Sequence, residues 1–288
     1  MKLDRRNAAG FLGLFSLPLA WSLILLILPY LIMISVGFWL RKYPTFVPDF
    51  QFANYVQIFS DPQYFNVILR TAKIAALVTI TATLLGYPLA YLLAFTIRSP
   101  GLRNLLYLLV IVPLWVSYLL RAYTWKTILG TNGALNSLLQ SLGVIDAPLD
   151  IFLYNQGSMV ITLTYIFIPF MVMPIFSALE NIPKNLIEAS EDLGIGPFGT
   201  FLKVVLPLSL GGVLAGATVT FCLTFGDFVA PVLVGGPDGT MIANVLQNQF
   251  GAALNWPLGS ALATLVLLMV MAVLWLSSKL DRNARVAL

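Results

Sequence analysis

The chain reads as an all-α polytopic membrane protein with six transmembrane helices and one short surface helix, and three observations lead there. Of its 288 residues, 59% are hydrophobic and 10% are charged, whereas a soluble domain is about half apolar and about a quarter charged. The mean hydropathy is +0.90. The apolar residues also fall in separate runs, each near the roughly 20 residues that cover a bilayer core. Such helices bury one face on each other and another in lipid, with every backbone group bonded internally.

Six runs qualify, at about 11–40, 71–97, 105–125, 159–179, 204–232 and 258–280. The first follows MKLDRRNAAG, which resembles the start of a signal peptide. Its apolar stretch continues to Leu40 without a small-x-small cleavage site, so a retained span is expected. The second carries Arg70 and Lys73 at its start, where long basic side chains snorkel to the interface. The third contains Pro113 and a cluster of Trp115, Tyr118, Arg121, Tyr123 and Trp125. Pro18, Pro29, Pro88, Pro169 and Pro174 also fall inside spans and predict kinks rather than chemistry. The fifth span holds Cys222 and Asp227. A single cysteine makes no internal disulfide, and Cys222 reads as a small packed side chain. No repeat, low-complexity tract or linker divides the chain, so residues 1–288 are expected to form one domain.

The net charge is +4 and the pI about 9.2, but the sixteen Lys and Arg are scattered between apolar runs and form no basic stripe. Nucleic acid is therefore not an expected partner; the cations report topology instead. With the N-terminus inside, Lys2, Arg5, Arg6, Arg98, Arg103, Lys184, Lys203, Lys279, Arg282 and Arg285, ten of the sixteen, are cytoplasmic. Both termini are then expected in the cytoplasm, and so is the loop between spans four and five.

That loop contains EASEDLGIGPFGTFLKVVLP, in which Glu188, Glu191 and Asp192 concentrate acid in an otherwise apolar chain. Asn181 is a candidate cap, Pro183 suits a first turn and Gly194 a C-terminal stop, so a short helix is expected. Leu186, Ala189, Ser190 and Leu193 share one face by helical spacing, and Lys184 can pair with Glu188 on another. Such a helix is either a connector on the membrane surface or a rigid knob that fits a groove on a soluble partner.

Glu188, Ala189, Gly194, Leu206 and Pro207 match, at the same spacing, the EAA motif of permease subunits of bacterial ABC importers, with Ser190 for its third small residue and Val204 for its isoleucine. The resemblance runs along all six spans. VIVPLWVSYLLRAYTWKTIL, YIFIPFMVMPIFSALENIP and NWPLGSA resemble the subfamily that imports spermidine, putrescine and related cationic amines. It implies the binding-protein-dependent importer permease fold, with 183–207 as the coupling segment and Glu188, Ala189, Ser190, Asp192, Leu193 and Gly194 docking on a cytoplasmic ATPase. It also implies a second, homologous permease, two ATPase subunits and a periplasmic substrate-binding protein. The composition agrees from another direction. No lysine follows a glycine in this chain, so the Walker A phosphate cradle is absent and ATP with its Mg belongs to partner subunits.

An ionisable residue inside a span is a functional candidate because its desolvation is costly. Asp227 is the one acid well within a span, with Phe225 and Phe228 beside it for cation–π contact to an amine. The other reading is that Asp227 caps a helix broken near Gly226 or pairs with Arg121. Trp115 and Tyr118 lie deep enough to line the same path, while Tyr123 and Trp125 fit an interfacial aromatic belt. GGPDGT, residues 235–240, reads as an outer loop. A secondary transporter would need intramembrane carboxylates or histidines for ion coupling, and an intramembrane hydrolase an imidazole or a carboxylate pair. With no histidine and one deep acid, both fit less well than a permease for a small cationic amine. An importer of the same family for an amino acid, opine or similar solute is the nearest alternative.

Overall fold

The computed structural model describes residues 5–42 and 45–286, with side chains described from Leu14 to Asp281. Lys2 lies outside these residues, as do the side chains of Arg5, Arg6, Arg282 and Arg285. The first apolar run forms α1 (Arg5–Ser22), a wide π turn at Leu23–Ile27, and α2 (Leu28–Val36). A three-residue hairpin follows, with β1 (Leu40–Lys42) antiparallel to β2 (Thr45–Val47) and Arg41 opposite Phe46. Next come α3 (Ala53–Ser60), α4 (Pro62–Tyr91), α5 (Pro100–Ile111), α6 (Tyr118–Leu129), α7 (Ala134–Ser141) and α8 (Gln156–Glu180). The remainder is α9 (Lys184–Asp192), α10 (Pro197–Thr200), α11 (Leu206–Phe225), α12 (Ile242–Phe250) and α13 (Trp256–Val286).

Among the described residues five helices are long and apolar enough to cross a membrane: Leu14–Val36, Pro62–Thr96, Gln156–Glu180, Pro197–Phe225 and Trp256–Asp281. A sixth span exists only if Pro100–Trp115 and Tyr118–Ser141, bent by 96° at their junction, count as one. The expected third span at 105–125 is thus a broken one. Val116 and Ser117 adopt extended backbone angles just after Pro113, which supplies no N–H to the ladder. The second span begins nine residues before its expected start, at Pro62, and puts Arg70 and Lys73 in its third turn. The fifth begins at Pro197 and stops at Phe225, so residues 226–232 are not part of it.

The described residues fall into two compact units: residues up to Pro62 with Leu246–Met269, and Gln63–Val245 with residues from Val270. The division passes through α12 and α13, which is why no linker marks it in the sequence. In the first unit the side chains from Leu14 to Ile32 are exposed on every face of their helix, as befits a helix solvated by lipid or by another chain. Asn54 donates to the carbonyls of Gly37 and Trp39, each at 2.9 Å, and ties α3 to the end of the first span. Phe46 stacks on Trp256 and Arg41 donates to the Ala253 carbonyl at 2.8 Å.

In the second unit α8 is the axis. One cluster packs Ile74 and Val78 of α4 and Ala122 of α6 on Met159, Leu163 and Ile166, with Ala230 and Val234. Another packs Ala82 and Leu93 on Met171, Ile175 and Leu179, with Val205. α11 crosses α8 closely because it lacks side chains at the contact: a Cβ on Gly212 would lie 2.6 Å from the Pro174 carbonyl oxygen, and one on Gly216 3.1 Å from Met171 Cα. Small residues permit such approach where the lipid supplies no hydrophobic drive for helices to associate.

Candidate functional site

Two sites follow from the sequence, the acidic surface helix and the buried Asp227. Both lie in the second unit.

The surface helix is α9. Pro183 occupies the capping position itself, with φ −62° and ψ 128°, and Lys184 opens the helix. Asn181, the expected cap, instead ends α8, where its Nδ2 donates to the Ser177 carbonyl at 2.8 Å. A short polar side chain serves whichever helix end it faces, and the Ser177 carbonyl in the last turn of α8 lies within its reach. At the far end Gly194 sits at φ +74° with nothing within 4 Å of a Cβ built on it. Its N–H donates to the Glu191 carbonyl at 2.8 Å and that of Ile195 to the Ser190 carbonyl at 3.1 Å, the paired bonds of a Schellman stop.

Leu186, Ala189 and Leu193 point outward, Leu193 with 79% of its surface exposed, as do Glu188, Glu191 and Asp192. The face grouped from spacing is thus a free apolar ridge with an acidic margin, except at one position. Ser190 is 4% exposed and turns inward, where its hydroxyl meets that of Thr200 at 2.9 Å. Ile187 packs inward beside it on the second core cluster. Among the described residues Lys184 and Glu188 form no ion pair; both are exposed, and such pairs gain little over solvation. The ion pair near this segment is Arg103 with Glu180, at 3.3 Å, which joins the start of α5 to the end of α8. No local spacing signalled it.

Asp227 lies just past the end of α11, not within a continuous span. The chain breaks at Gly226 and turns into a helix again, and Asp227 caps that turn: its Oδ1 accepts the Ala230 N–H at 2.9 Å. Its Oδ2 accepts the Tyr118 hydroxyl, from the first turn of α6. Two broken helices therefore meet at this carboxylate, which is 8% exposed. Arg121 is equally buried but does not pair with it. The Arg121 guanidinium donates through Nη1 to the Ile166 carbonyl at 3.1 Å and lies 5.9 Å from the Tyr118 ring centre. Its Nε has no partner among the described residues.

The aromatic residues divide. Phe225 is 2% exposed and stacks on Phe221 at 5.8 Å, so it cannot face an incoming cation in this state. Phe228 is about half exposed, and its carbonyl accepts from Asn244 Nδ2 at 2.7 Å. Trp115, expected beside Tyr118, is 79% exposed and separated from it by the break at Val116 and Ser117. The loop at 235–240 is anchored rather than free: Gly236, at φ +65°, has the Tyr154 carbonyl oxygen 2.4 Å from where a Cβ would stand.

Comparison with known proteins meets this geometry from outside. Residues 86–286 match the model of the binding-protein-dependent transport system inner membrane component family. The spermidine/putrescine transport system permease protein PotB of Escherichia coli strain K12 is 37% identical over 265 residues, covering 90% of this chain and 94% of PotB. The inner membrane ABC transporter permease protein YdcU of the same strain is 36% identical over 276 residues, covering 90% and 87%. A chain of a bacterial ABC transporter that imports the acidic polysaccharide alginate has the same fold, with a TM-score of 0.73 at 18% identity over 97% of this chain and 96% of that one. This chain is a multi-pass membrane component of an ABC importer and belongs to the binding-protein-dependent transport system inner membrane component family.

Proposed function

We propose that this permease serves an ATP-driven importer of spermidine, putrescine or a similar small cationic amine. The observation that carries the reading is the 37% identity, across 90% of the chain, to a permease named for those amines. The buried carboxylate of Asp227 agrees with it. An ammonium leaving water needs an opposite charge to offset its desolvation, and Oδ2 accepts from a tyrosine hydroxyl that a stronger donor can displace. The alginate importer carries an acidic cargo on the same fold, so cargo is decided by such side chains and not by the fold.

The complete transporter pairs this chain with a second permease, two ATPase subunits holding ATP and Mg, and a periplasmic binding protein. It sits in the bacterial inner membrane with both termini cytoplasmic. The ridge of Leu186, Ala189 and Leu193, bordered by Glu188 and Asp192 and stopped at Gly194, docks in a cleft of the ATPase. ATP-driven closure then opens the path outward, and hydrolysis returns it inward. The experiment is to measure ligand binding by the cognate binding protein, and uptake by the assembled complex, across putrescine, spermidine, amino acids and opines. Saturable uptake of the amines alone is expected. Preference for a neutral amino acid or an opine would transfer the chain to the alternative cargo.

A further inference from the structure

The EAA motif carries a small third residue, and here that residue is the polar Ser190. Its hydroxyl is turned away from the exposed ridge of α9 and bonds to Thr200 at 2.9 Å, with both residues 4% exposed. Thr200 also donates to the Ile195 carbonyl at 3.4 Å. It ends α10, the first turn of the helix that runs from Pro197 to Phe225. Ten residues and a Schellman stop separate the partners in sequence, so the bond fastens the knob to the foot of the next membrane helix. Immediately beyond Thr200 the helix widens into a π turn at Phe201–Val205, a feature that locally softens the helical ladder. Phe201 within it stands edge-on to Tyr87 and Tyr91 of α4, each at 5.8 Å, and the Tyr87 hydroxyl meets that of Ser209 at 2.8 Å.

We propose that Ser190 is a positioning residue for coupling: through Thr200 it joins α9 rigidly to the foot of the fifth membrane helix. Displacement of the knob then reaches the π turn and bends the helix there, and is not absorbed in the loop at 193–196. The inference rests on α9 being the ATPase-docking element. A buried hydroxyl pair suits the role, since water does not reach either member to replace the bond, although Thr200 keeps the Ile195 carbonyl when Ser190 is lost.

The test uses the assembled complex in proteoliposomes, with radiolabelled spermidine as the probe. Uptake and ATP hydrolysis are measured together, and ATPase co-purification reports docking. Ser190→Ala and Thr200→Val should each keep the ATPase bound and hydrolysing while the amine moved per ATP falls roughly fivefold, the loss of one buried hydrogen bond. Thr200→Ser, which keeps the hydroxyl, should retain the wild-type ratio. The double variant should be no worse than either single one, because both remove the same bond. A wild-type transport ratio in Ser190→Ala, or additive losses in the double variant, would overturn the strut. Glu188→Lys separates this from the docking reading: if it transports normally, α9 is not the docking element, whatever Ser190 does.

Discussion

Replacing Asp227 by asparagine keeps the shape of the side chain and removes its charge. Oδ1 can still accept the Ala230 N–H, now at 2.9 Å, and asparagine caps helices as well as aspartate does. What changes is the bond from Tyr118, which passes from charge-assisted to neutral. Bonds to charged groups are worth about 1.5–3 kcal/mol and neutral ones about 1 kcal/mol, so the fold should lose roughly 1 kcal/mol. A transported ammonium loses more, because no net charge remains to offset its desolvation. One charge-assisted bond of about 1.5–3 kcal/mol corresponds to a rise of roughly ten- to hundredfold in KM for the amine. Asp227→Ala also removes the cap, worth about 1 kcal/mol more, while Asp227→Glu keeps the charge one methylene out of place and should retain part of the activity. The assay is amine uptake by the complex at several concentrations, with assembly checked by co-purification. An unchanged KM in the asparagine variant would move the cation site elsewhere. Failure of that variant to assemble would make the carboxylate a structural partner of Tyr118 alone.

Other outcomes follow from the same geometry. In a Cys222→Ser background, cysteines at Asp146 and Asp238 should react with an impermeant thiol reagent from outside, and those at Arg98 and Glu191 only after permeabilisation; labelling of Glu191→Cys in sealed cells would reverse the topology. Gly194→Arg and Glu188→Lys should leave membrane insertion intact but abolish uptake together with substrate-stimulated ATP hydrolysis, and normal uptake by both would remove α9 from the coupling path. Gly236→Ala, which meets both a left-handed backbone and the Tyr154 carbonyl at 2.4 Å, should lower thermal stability more than Gly194→Ala. The latter meets only the backbone preference, about 1–2 kcal/mol; equal losses would refute the close packing of the loop at 235–240.

The helices were legible where period and length alone decide them. Gln156–Glu180 and Trp256–Asp281 fall within three residues of their expected bounds, because each is an uninterrupted apolar run. The breaks were not. Proline is tolerated in membrane helices, so Pro113 did not distinguish a kink from the 96° bend that follows it. α9 was readable from its Gly194 stop, yet the inward turn of Ser190 was not, since its partner Thr200 lies across a loop. Asp227 stood out as a lone acid, but its tyrosine partner is 109 residues away. Of the two structural readings for it, the cap at Gly226 holds, while Arg121, a partner by charge alone, gives its guanidinium to the Ile166 backbone carbonyl instead.

The measurement that bears most directly on the central claim is spermidine uptake by the reconstituted complex, with its binding protein, before and after the ATPase subunits are inactivated by substitution of their Walker A lysine. Uptake should depend on both ATP and the binding protein, be inhibited by putrescine and not by neutral amino acids, and vanish with the inactive ATPase. Amine accumulation that persists without a working ATPase, driven by an ion gradient, would contradict the account.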